Sequence, residues 1–107
     1  MKADITELLI FFSELMPSSN EEQKIYWFRT TRKDQISIIF VASIYEESVG
    51  ILVENNNGTN IARLDLEKCS EIKIVDAEKR CLEVLHANNK GRCFLSLFGE
   101  SILSYAE

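Results

Sequence analysis

Two periodicities divide the chain. From Ile5 to Met16, apolar residues recur at helical spacing, at Ile5, Leu8, Leu9, Phe12, Leu15 and Met16. Asp4 and Glu7 stand at the spacing of a capping box, with aspartate as the capping residue. Pro17 cannot continue a helix, and Pro17-Ser18-Ser19-Asn20 reads as a loop. The pattern predicts an amphipathic helix over residues 4–16. Ile10 and Phe11 widen its apolar stripe beyond what contact on one side requires, which implies a helix buried on several sides or one lying at an interface.

From residue 24 to residue 105 the texture changes to short runs of β-branched and aromatic residues separated by turn chemistry. The first run is Ile25 to Thr31, followed by the polar turn Arg32-Lys33-Asp34-Gln35. The second, Ile36 to Ile44, is almost continuously apolar and reads as a central strand covered on both faces. Val49 to Glu54 follows, with Gly50 marking a bulge or a close backbone approach. Asn55-Asn56-Asn57-Gly58 is the strongest turn signal, because Asn and Gly reach positive φ at little cost. Further runs are Thr59–Leu66, Glu71–Val75, Cys81–Ala87, Arg92–Phe98 and the edge strand Ser101–Tyr105. The charged turn Asp76–Arg80, the hairpin Asn88-Asn89-Lys90-Gly91 and the break Gly99-Glu100 separate them. Strands joined by tight turns must be antiparallel, and about seven to eight twisted strands would curl. The fold class is therefore α+β: an N-terminal amphipathic helix packed on a curved antiparallel meander, a partly open barrel. The 107 residues fit one domain.

Charge narrows the partners. Seventeen acidic residues against twelve basic ones give a net charge of −5. That disfavours nucleic acid and anionic lipid, and it suits a cytoplasmic protein or one that meets a basic partner. Leu8 to Phe12 resembles a short signal core, but it is flanked by Asp4, Glu7 and Glu14 and is far too short to span a membrane. Asn57-Gly58-Thr59 has the form of a glycosylation sequon and reads here as a turn. The three cysteines, Cys69, Cys81 and Cys93, have no C-x-x-C spacing and read as reduced, apolar strand residues.

The chemistry-bearing residues form no catalytic set. His86 is the only histidine. With Cys81 or Cys93 as nucleophile and Glu83 as orienting group it has the types for thiol catalysis, and with the three thiols the types for zinc, but neither spacing. The pairs Glu21-Glu22 and Glu46-Glu47 read as surface charge. No metal, cofactor or enzymatic activity is expected. Arg29, Arg32 and Lys33 beside Tyr26, Trp27 and Phe28 form the one basic-aromatic cluster, the composition of a stacking platform in a chain of the wrong net charge. Surplus apolar surface points instead to protein contact, with Tyr26, Trp27, Phe28, Arg29 and Phe11 as the candidate residues. The sequence thus suggests a non-enzymatic protein-binding module of inhibitor, immunity or adaptor type, binding another protein or forming a homodimer. A carrier of a small apolar ligand, with the helix as lid, is the alternative.

Overall fold

In a computed structural model of the protein, residues 1–76, 78, 80–87, 91–98 and 101–106 are described. The helix α1 spans Ile5–Phe12. Asp4 caps it as its position predicts, the carboxylate accepting the Glu7 N–H at 3.1 Å. The helix is shorter than the apolar period suggests, because Ser13 turns into the left-handed region (φ 70) and donates its N–H to Leu9 O at 2.7 Å. Residues 14–16 then run as an extended strap along the first strand, β1, Ile25–Thr31. Met16 N–H donates to Trp27 O at 2.7 Å, Arg29 N–H donates to Glu14 O at 3.1 Å, and Leu15 pairs antiparallel with Phe28. An open strand edge offers these residues backbone partners that another helical turn would not, and the strap leaves that edge covered.

β1 is followed by β2 (Ser37–Ser43), β3 (Ser48–Glu54) and β4 (Asn60–Leu66), which form one antiparallel sheet in that order. β5 (Cys69–Asp76), β6 (Cys81–His86), β7 (Arg92–Ser96) and β8 (Leu103–Ala106) form a second. The single curved meander, or partly open barrel, expected from the sequence is therefore corrected to two four-stranded meanders. The break falls at residues 67–68, where Lys68 adopts φ 55 and the chain leaves the first sheet to start the second. Splitting lets each sheet keep its own twist while both turn their apolar faces to one core. The expected turns at Asn88-Asn89-Lys90 and Gly99-Glu100, and parts of Asp76–Arg80, lie outside the described residues.

That core draws on every element. Leu8, Phe11 and Phe12 come from α1, Tyr26 and Phe28 from β1, Ile38, Phe40 and Ala42 from β2, Val49, Ile51 and Val53 from β3, and Ile72, Leu82, Val84, Cys93 and Leu95 from the second sheet. Phe12 sits at its centre, its ring stacked on Phe28 at 5.4 Å and Phe40 at 5.0 Å, with Phe11 edge-on at 4.9 Å. β2 lies between β1 and β3, as its unbroken apolar run implies. A short backbone link ties the sheets together, Cys69 N–H to Glu47 O at 2.8 Å, and Lys2 docks along the edge of β5, donating to Ser70 O and accepting from Ile72 N–H, each at 2.9 Å.

Phe12→Ala should cost about 3–5 kcal/mol, because the ring is wholly buried between two others and the cavity left behind has rigid walls. Urea denaturation of both proteins measures the loss.

Candidate interaction surface

Alternation along β1 sends Tyr26 and Phe28 inward, where they are 3% and 0% exposed, and turns Ile25, Trp27 and Arg29 outward. Phe11 is core as well, at 5%. Of the five candidate contact residues, three are thus side chains of the core, and Trp27 and Arg29 are available to a partner on the outer face of the first sheet.

The strand register builds that face from two rows. One runs Trp27, Val41, Gly50, Asp65 across β1 to β4, and the next runs Arg29, Ile39, Leu52, Arg63. The centre is therefore apolar and the flanks are charged. Gly50 leaves a gap in the first row, and the gap opens into a hollow of about 120 Å³ walled by Trp27, Val41, Leu52 and the Arg63–Asp65 pair. Arg63 Nε donates to Asp65 Oδ2 at 3.1 Å along the rim. A Cβ at Gly50 would lie 3.5 Å from Asp65 Oδ1 and 3.7 Å from Val41 Cβ, ordinary contact distances. The glycine is thus not demanded by the fold, and its effect is to keep the hollow open. The Trp27 backbone is tied on its open side: its amide N–H donates to Ser19 Oγ at 2.9 Å, and its carbonyl accepts from Met16 N–H. An aromatic beside an apolar hollow, with the Arg63–Asp65 pair at the rim, has the composition of a protein-binding hot spot. Gly50 and the turn before Trp27 carried sequence signals. Arg63 carried none, because its place beside the hollow depends on how β4 pairs.

The second sheet brings His86 beside Cys69 as its cross-strand partner and places the other two thiols elsewhere in the register. Cys81 pairs with Ser96, Cys93 with Val84, and His86 with Cys69. His86 Nδ1 donates to Glu67 O at 3.2 Å, and its ring lies edge-on to Tyr105. Among the described residues no cluster of three His, Cys, Asp or Glu could hold a metal ion. Burial pushes the Cys69 thiol up to about 11, with the nearby Cys93 adding to the shift. Burial also raises Cys93, and burial followed by the charges of Asp76 and Glu83 raises Cys81. Such thiols are poor nucleophiles at neutral pH. Of the basic cluster, Arg32 is committed internally, its guanidinium 3.3 Å from Asp34 and donating to Ser96 O at 3.3 Å. Tyr26 donates its hydroxyl to Glu21 at 2.7 Å, and its ionisation is raised by burial and then by that bond and charge.

The chain matches no protein-family model and no curated protein. Its fold is similar to that of a chain in the solved structure described as a contact-dependent growth inhibition toxin–immunity protein complex from Klebsiella pneumoniae 342. The TM-score is 0.74 at 14% sequence identity, over 98% of this chain and 93% of that one.

Cys69, Cys93 and Tyr26 all hold their protons in the folded chain at a pH where the unfolded chain has lost them. The unfolded state then binds fewer protons, so stability is full below about pH 8.5 and falls as pH rises through the unfolded thiol and phenol range. The urea midpoint at about pH 10.5 should accordingly lie below that at about pH 7.5. At neutral pH a disulfide reagent should modify the native thiols far more slowly than those of the urea-unfolded chain. Equal rates would contradict the burial described above.

Proposed function

We propose that this chain is a non-enzymatic, protein-binding module of the immunity type, which neutralises a growth-inhibition toxin by binding it. The observation that carries the reading is the likeness of backbone, over nearly the whole chain, to a chain of a toxin–immunity protein complex. Two features favour the immunity half of such a pair over the toxin half. Burial raises all three thiols, so none is activated as a nucleophile. The net charge of −5 suits a protein that must find a basic partner quickly, since long-range attraction raises the rate of encounter.

The outer face of the first sheet is the contact surface in this reading. Trp27 is its aromatic anchor, the hollow at Gly50 takes an apolar side chain of the toxin, the Arg63–Asp65 pair frames the rim, and Arg29 lies in the neighbouring row. Free cysteines support a reducing compartment, the cytoplasm, as the place of action. The carrier of a small apolar ligand has less support, because the stacked rings of Phe12, Phe28 and Phe40 occupy the space beneath the helix.

Removing the gene from a host strain should make its growth sensitive to sibling cells that carry the matching toxin, and restoring the chain should restore growth. The purified chain and toxin should form a stoichiometric complex by gel filtration. Trp27→Ala should weaken that complex about 30-fold while the protein stays folded. A deletion strain that grows normally beside toxin-bearing siblings would count against the reading.

A further inference from the structure

A second apolar surface lies away from the first sheet's outer face and shares no residue with it. Leu8, Phe11 and Phe12 point α1 into the core, which leaves Glu7 and Ile10 on its open side. Beside them, β5 turns out Val75, and Arg80 follows after the strand. Together Glu7, Ile10, Phe11, Ile74, Val75 and Arg80 line an open groove of about 520 Å³. Ile10 is 72% exposed and Val75 51%. Phe98, at 47%, continues the patch through the Arg80 guanidinium, which lies 5.8 Å from the centre of its ring. Exposed apolar side chains gathered around one groove mark a contact surface, whereas scattered ones do not.

The charges of the groove say what fits it. It carries one carboxylate, Glu7 on the helix wall, and one guanidinium, Arg80 on the sheet wall. Arg80 Nη1 donates to Phe11 O at 3.4 Å, so it also sits at the C-terminal end of the helix, where a cation is favoured. Among the described residues neither Glu7 nor Arg80 is in an ion pair. A patch with opposite charges on its two walls and apolar residues between them is self-complementary. In a two-fold contact through this groove, each Glu7 would face the other copy's Arg80 and each Ile10 the other's groove. The patch is also locally neutral on a chain of net charge −5, so it is a place where two acidic copies can approach. We infer that this groove between α1 and β5 binds a second copy of the chain, forming a two-fold dimer with two Glu7–Arg80 pairs at its rim.

Sedimentation of the full chain over a range of concentrations should show a monomer–dimer equilibrium. Glu7→Arg, at an exposed position, should weaken the dimer about tenfold, because each substitution acts twice in a two-fold contact. Ile10→Asp should abolish it, with circular dichroism and the urea midpoint reporting that both variants remain folded. Arg80→Lys keeps the cation at the helix end and adds a group that a carbodiimide can couple to a carboxylate. In a mixture of isotopically light and heavy copies of that variant, mass spectrometry should find position 80 of one copy joined to Glu7 of another. Monomeric mass at every concentration would overturn the inference. So would a dimer indifferent to Glu7→Arg and Ile10→Asp, or a crosslink confined within single copies. The readouts involve no toxin, so the dimer can fail while the immunity reading stands, and the reverse.

Discussion

Everything in this molecule depends on one buried contact, the Phe12 ring held between Phe28 and Phe40. It joins the helix to adjacent strands of the first sheet, and its neighbours Leu8 and Phe11 extend the same apolar mass toward the strands of the second. Neither sheet could be stable alone, since each has one apolar face and needs a cover. A helix of only eight residues would be marginal in water, and its persistence here is a consequence of packing. The outward surfaces inherit their shape from this arrangement. Committing Leu8, Phe11 and Phe12 to the core fixes the rotation of α1, which is why Ile10 and Glu7 end up over the groove beside β5.

Alternation made the strands legible. Tyr26 and Phe28 against Trp27 and Arg29, the unbroken run of β2, and the Asn55–Gly58 turn are all readable from residue types. In that turn Asn55 Oδ1 accepts from Asn57 and Thr59 N–H while Gly58 takes φ 77. The end of the helix was not legible. Leu15 and Met16 continue the helical period, but the free edge of β1 competes for their backbone, and that edge exists only after the sheet has formed. The division into two sheets was hidden for a similar reason. The break near Lys68 has no Gly, Pro or Asn to announce it, so a residue with no turn preference supplies the positive φ.

The candidate contact residues split along the same line. A cluster of large side chains near Trp27 was visible in the sequence, but the sequence could say only that at least one of Trp27 and Phe28 was core. Register supplied the rest, because Val41, Gly50 and Asp65 line up beside Trp27 only through three successive strand pairings. The molecule thereby separates its duties among residues. One set of aromatics holds the core, a single tryptophan with its apolar neighbours faces outward, and Cys69 and Cys93 are buried beyond easy reaction.

The hollow at Gly50 has an evolutionary consequence. Its volume is set by a missing side chain at a position where a methyl group would meet its neighbours at ordinary distances. Lineages can therefore shrink or reshape the socket by single substitutions at that position and along its rim, with little penalty to folding. The shape of this face is free to diverge while the backbone stays constant. The fold itself tolerates such change, since a chain only 14% identical keeps the same backbone over 98% of this one.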